Sequence, residues 1–127
     1  MSQFTTLSLK NQAATEVDFA NSRIDYTSGV ATWIAAGTSF DSRKKATFSL
    51  TIPTARSNRA RVKAKVSIPI MDTVDTLRKV DELICNVEFV LPARSLKADR
   101  QDLRAHIADF LVDTVIVKAI EDFEGVY

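Results

Sequence analysis

Two stretches in the middle of the chain alternate strictly between apolar and polar residues. In residues 45–52, Ala46, Phe48, Leu50 and Ile52 share one parity, and Lys45, Thr47, Ser49 and Thr51 share the other. Successive side chains of a strand point to opposite faces, so this run predicts a half-buried strand with one polar face. Residues 60–68 repeat the pattern: Val62, Ala64, Val66 and Ile68 stand against Arg61, Lys63, Lys65 and Ser67. Residues 53–58 lie between them and carry turn chemistry, which predicts an antiparallel hairpin. A third strand is predicted over residues 83–91. Cys85, Val87, Phe89 and Leu91 form its apolar parity, and Ile84, Asn86, Glu88 and Val90 form a mixed one. The polar stretch 71–81 reads as a loop. Residues 4–10 and 15–19 predict a short N-terminal hairpin, and the Ala-rich residues 29–36 predict another strand.

The period changes in the last third. Leu96, Leu103, Ile107, Phe110 and Leu111 recur at helical spacing, with charged residues mostly elsewhere. Ser95 is a candidate N-cap. A break is predicted near residues 112–114, followed by a second helix that ends before Gly125. Strands first and helices last predict an α+β chain, with the helices on one face of an antiparallel sheet. The helices would cover the face of Phe48, Leu50, Val62, Val66, Val87 and Phe89. The face of Thr47, Ser49, Lys63, Lys65 and Asn86 is then left open.

Composition narrows the chemistry. At 127 residues the chain is one domain long. The expected division is a hairpin over 1–20, a main sheet over 29–91 and helices over 95–124. No apolar run approaches the length of a bilayer span, so no membrane partner is expected. Met1–Phe4 lacks the basic flank and apolar stretch of a signal peptide, which predicts an intracellular product. One cysteine, Cys85, permits no internal disulfide or thiolate metal cage, and it reads as a buried small hydrophobe. With one histidine, His106, and three scattered glycines, no catalytic constellation or phosphate loop forms. Neither a catalytic residue, a metal ligand nor a cofactor is expected. Trp33 reads as a packing residue, and Asp72 and Asp75 as solvated loop acids.

The net charge of +1 hides an asymmetry. Residues 42–71 hold eight cations and no acid: Arg43, Lys44, Lys45, Arg56, Arg59, Arg61, Lys63 and Lys65. The flanking segments 1–41, 72–95 and 96–127 sum to −2, −2 and −3. A basic block on one sheet face predicts a localised anion-binding surface, with a solvated, lysine-guarded sheet edge as the plainer alternative. Cations beside small hydroxyls can hold phosphates and read bases.

In this order the elements resemble the coat proteins of the single-stranded RNA bacteriophages, the levivirus type. The residues that carry the likeness are Gly29-Val30-Ala31-Thr32-Trp33-Ile34, Thr47-Phe48-Ser49-Leu50-Thr51, the basic run from Arg61 to Pro69, Asn86-Val87-Glu88-Phe89 with Pro92 after it, and the ending Gly125-Val126-Tyr127. The resemblance implies an intertwined homodimer, in which two five-stranded sheets join into one continuous sheet and the helices of each subunit cross the partner's sheet. It also implies an icosahedral T=3 shell with the open face turned inward to single-stranded viral RNA. On that face an RNA hairpin would act as translational repression site and packaging signal. The product would be a virion component assembled in the bacterial cytoplasm.

Site residues follow from the resemblance position by position. Val30, Thr47, Ser49 and Lys65 match adenine-pocket positions, Arg61 a basic contact, and Asn86 and Glu88 the polar pair before the helices. Arg59 or Asn58 matches a contact at the turn, while Thr51 and Lys63 share the face. Ile84 stands where some relatives stack a tyrosine on a base, and Lys63 stands where a pocket has threonine. The loop over 72–79 is shorter than in relatives. A non-assembling regulatory RNA-binding module is the alternative reading, and a small enzyme is a weaker third.

Overall fold

The computed structural model describes residues 3–37, 39–56 and 58–125. Ser57 of the predicted turn and Val126 and Tyr127 of the C-terminal ending lie outside the described residues. The chain divides into two compact units, one up to Val90 and one from Leu91 onward.

Among the described residues, the first unit is a single antiparallel sheet of six strands in sequence order. These are β1 (Leu7–Lys10), β2 (Glu16–Asp25), β3 (Val30–Ala35), β4 (Lys45–Thr51), β5 (Arg59–Met71) and β6 (Lys79–Pro92). The five-stranded sheet that the resemblance implies has six strands here, because the N-terminal hairpin is continuous with the main sheet. β2 serves both neighbours, pairing with β1 through residues 16–19 and with β3 through residues 19–25. Between them the register slips by one residue at Asn21/Arg23. Such a bulge bends the strand and frees it to serve two partners. The expected loop at 71–81 shrinks to 72–78, because β5 runs to Met71 and β6 begins at Lys79. In that loop Asp72 and Asp75 accept hydrogen bonds from the backbone N–H of Val74 (2.9 Å) and Leu77 (3.1 Å).

The core is small. Phe19, Ala35 and Ala46 are buried, and Leu7, Leu9, Val17, Trp33 and Val66 pack against them. Alanine at 35 and 46 makes room for the Phe19 ring. Trp33 packs edge-on to Phe4, with ring centroids 5.2 Å apart, and its Nε1–H donates to the Thr5 carbonyl at 2.8 Å. Elsewhere the apolar face is bare: Phe48 is 40% and Leu50 50% exposed. Cys85 has the expected parity but is exposed rather than buried. It sits on β6, the last strand of the sheet, where the described residues of the unit supply no further layer.

The β2–β3 turn is closed by Asp25. Its carboxylate accepts from the N–H of Thr27 at 2.9 Å and of Ser28 at 3.4 Å. Hydrogen bonds from the Ser28 hydroxyl and from these two N–H groups hold that carboxyl below its usual range. Gly29 completes the turn at φ +71°, with open space where a Cβ would stand. Substitution there meets only backbone strain, on the order of 1–2 kcal/mol. Gly29→Ala is therefore expected to lower the denaturant midpoint while leaving the dependence on denaturant unchanged, as followed by circular dichroism.

The second unit carries α1 (Lys97–Phe110) and α2 (Thr114–Asp122). Ser95 is not the N-cap of α1. Its hydroxyl donates to the Pro92 carbonyl at 2.7 Å, and Arg100 donates back to the Ser95 carbonyl and hydroxyl at 2.6 and 2.9 Å. Leu96 takes the N-cap position with no side-chain bond. The break falls at residues 111–113, and Asp113 caps α2 by accepting from the Val115 N–H at 3.0 Å. That cap helps the β-branched Val115-Ile116-Val117 run enter a helix. The left-handed residue ending α2 is Phe123, at φ 56°, rather than Gly125. Neither helix has a buried residue. Among the described residues no helix is long and apolar enough to cross a membrane.

Candidate nucleic-acid interface

Register places the polar parities of four strands on one face. Val30 pairs with Ser49 and Thr32 with Thr47 across β3 and β4. Across β4 and β5, Thr47 pairs with Lys65, Ser49 with Lys63 and Thr51 with Arg61. On β5, exposed Arg61, Lys63 and Lys65 alternate with half-buried Val62, Ala64 and Val66, which fixes which side the cations occupy. β6 adds Asn86 and Glu88.

These strands form an open cleft of ≈ 350 Å³. Seven of the ten residues expected from sequence line it: Val30, Thr47, Ser49, Lys63, Lys65, Asn86 and Glu88. Strand spacing of about 4.8 Å makes the distance from β3 to β6 about 14 Å, room for more than one base. Val30 offers apolar contact, the hydroxyls and Asn86 offer donors and acceptors, and the lysines offer charge to phosphate. The other three residues lie outside the cleft. Thr51 and Arg61 form the next cross-strand pair along the face, and Arg59 is the exposed first residue of β5.

Arg61 is engaged within the protein. Its Nη1–H donates to Glu88 Oε1 at 2.7 Å, with both side chains partly exposed. The pair links β5 to β6 and balances the one carboxylate that lines the cleft. Exposed pairs of this kind contribute little stability, so the charge can rearrange when a ligand arrives.

Sequence reasoning missed a second polar cluster on the same face. Asp41, Arg43, Lys45, Ser67, Pro69, Lys79 and Glu82 surround a smaller cleft of ≈ 60 Å³. Lys79 donates to Glu82 Oε2 at 2.7 Å. That bond, reinforced by the Lys79 charge, the Ser67 hydroxyl and the Lys65 charge, holds the Glu82 carboxyl below its ordinary range. The available signal was parity: Glu82 shares the β6 parity of Ile84, Asn86 and Glu88, and Lys79 stands three residues before it. Ile84 is exposed on that row. His106, on α1, is also exposed.

The fold has clear relatives among solved structures. The virus-like particle subunit of Beihai levi-like virus 21 superposes with a TM-score of 0.90 at 20% identity, covering 99% of each chain. The subunit of the bacteriophage ESE058 particle gives 0.87 at 21% identity, covering 99% of this chain and 100% of that one. A bacteriophage protein described as an unassembled virus coat protein dimer and RNA-binding dimer gives 0.73 at 16% identity, with 99% of each chain covered. No curated protein matches the chain. The sequence profile of the levivirus coat proteins matches residues 2–127, nearly the whole chain. With that match and the matching fold, the chain belongs to the levivirus coat protein family, whose members are structural components of the viral capsid.

Proposed function

We propose that this chain, acting as one coat-protein domain, dimerises and assembles into an icosahedral T=3 shell around single-stranded RNA. In this reading the β3–β6 face lies inside the shell and binds an RNA hairpin. The hairpin serves as translational repression site and packaging signal, and assembly takes place in the bacterial cytoplasm. The observation that carries the RNA part is the cleft in which Val30, Thr47, Ser49, Lys63, Lys65, Asn86 and Glu88 converge. Val30, Thr47 and Ser49 are in position to receive a base, while Lys63 and Lys65 hold its phosphates. Arg61 and Arg59, with Thr51 opposite Arg61, extend the polar and basic surface beyond the Ser49–Lys63 end of the cleft.

Dimerisation is supported by what the single chain leaves uncovered. β6 is a 14-residue edge strand. Its unpaired backbone groups are a template for another strand. Phe48, Leu50, Leu83 and Cys85 are exposed on the apolar parity. Both helices carry apolar stripes without a fully buried residue, with Leu103 39%, Phe110 54% and Ile120 62% exposed. A second copy offers each of these surfaces its complement, and the relatives' descriptions as particles and as an RNA-binding dimer agree with that.

Expression of the chain alone, followed by electron microscopy and sequencing of enclosed RNA, tests the proposal. Uniform closed shells carrying RNA are expected. Dimers that form no particles at any salt or RNA concentration would favour a regulatory RNA-binding module.

A further inference from the structure

β6 brings two carboxylates to the polar face, Glu82 and Glu88, six residues apart, and each is paired with a cation at 2.7 Å. At about 3.3 Å per residue the two carboxylates stand about 20 Å apart along the strand. The Debye length at physiological salt is about 8 Å, so each acts on its own end of the face. Glu88 lies in the central cleft, whereas Glu82 lies in the second cluster with Lys79, Lys45, Arg43 and Ser67. Ser67 is buried and pairs in register with Lys45, which places the cluster directly along the strands from the Thr47–Lys65 pair. An extended polyanion lying along β5 over Lys63 and Lys65 would meet the Glu82 carboxylate next.

We propose that Glu82 is a specificity-determining residue that closes this end of the face to RNA phosphates, so that the face takes a compact folded RNA over the central cleft and disfavours an extended strand. The proposal rests on the RNA-binding reading of that face. Lys79 alone would add a phosphate site, but the Glu82 carboxylate occupies its ammonium group and presents negative charge to an approaching backbone. Host RNA is mostly unrelated sequence, and its binding is almost entirely phosphate neutralisation. Trimming one site from the track lowers that background.

The test is binding of poly(U) to the purified dimer across a salt series. Each phosphate neutralised on a single strand contributes a slope of about −0.7 in log affinity against log salt, or about fivefold at 0.1 M salt. Glu82→Gln is expected to tighten poly(U) binding about fivefold and steepen the slope by about 0.7. Glu82→Ser is carried in parallel as a second neutral variant, so that a folding defect in one side chain does not decide the outcome. Glu16→Gln makes the same change in net charge on the N-terminal hairpin and is expected to leave both quantities unchanged. Wild-type binding with no change in the Glu82 variants, or an equal change in Glu16→Gln, would overturn the proposal and leave the RNA-binding reading standing. If neither wild type nor the Glu82 variants bind RNA, both readings fall.

Discussion

Lys65→Ala is expected to weaken RNA binding about fivefold at 0.1 M salt and to flatten the salt dependence by about 0.7, with the dimer intact. Lys65 pairs in register with Thr47 at the middle of the cleft, on the face opposite half-buried Ala64 and Val66. Removing the ammonium group takes away a phosphate contact without touching the core. Arg61→Ala also removes a positive charge, but by a different route. Arg61 is already held by Glu88, so its loss chiefly leaves that carboxylate bare in the cleft. The double variant Arg61→Ala/Glu88→Gln restores the charge balance and is expected to recover most of the binding lost in Arg61→Ala. No neutralising substitution at Glu88 is expected to rescue Lys65→Ala in the same specific way, because Lys65 does not depend on that carboxylate for its position. Filter binding or fluorescence anisotropy at several salt concentrations measures all four proteins. Full binding by Lys65→Ala would remove the cleft from the RNA surface.

The parts of this fold that were legible in the sequence are those where one face is dry and the other wet. β4 and β5 announce themselves because burial forces strict alternation, and a one-residue slip would turn Phe48 or Val66 to the wrong side. Parity puts Thr47, Ser49, Lys63, Lys65 and Asn86 on the open face, and the cleft joins to them Val30 and Glu88, which only the resemblance supplied. β2 is legible only to Phe19 because Asn21, Ser22 and Arg23 are polar on both sides of the bulge. That segment is a strand through its hydrogen bonds to β3, which leave no hydropathic trace. The caps failed for a local reason. Ser95 has the right chemistry for α1, but its hydroxyl serves the Pro92 turn and Leu96 takes the cap position, while Asp113, inside the expected break, caps α2. The Lys79–Glu82 pair leaves no sequence signal because the polar stretch 71–81 reads as loop, whereas β6 already begins at Lys79. Cys85 shows a different limit: parity says which way a side chain points, whereas burial also depends on what covers that face.

That last point gives the largest expected effect. Phe110→Asp should abolish the dimer. Phe110 lies on the α1 stripe with Leu103, Ile107 and the C-capping Leu111, and 54% of it is exposed in the single chain. Burying a phenylalanine is worth about 1.5–3 kcal/mol, and a carboxylate in its place adds an unpaired charge to the same apolar contact. Two such sites in a symmetric dimer double the loss, to well above about 5 kcal/mol in total. Asp109→Ala, one residue away but off the stripe, should change little. Among the described residues the buried core of the sheet unit is Phe19, Ala35 and Ala46, so in the proposed dimer much of the stability is expected to come from the partner. The wild-type unfolding midpoint should then rise with protein concentration, as it does for a dimer whose monomer is not stable alone. Analytical ultracentrifugation follows the first effect, and thermal melts over a hundredfold dilution follow the second. A melting point independent of concentration, with a normal dimer for Phe110→Asp, would mean that the helices bury their stripes within their own chain.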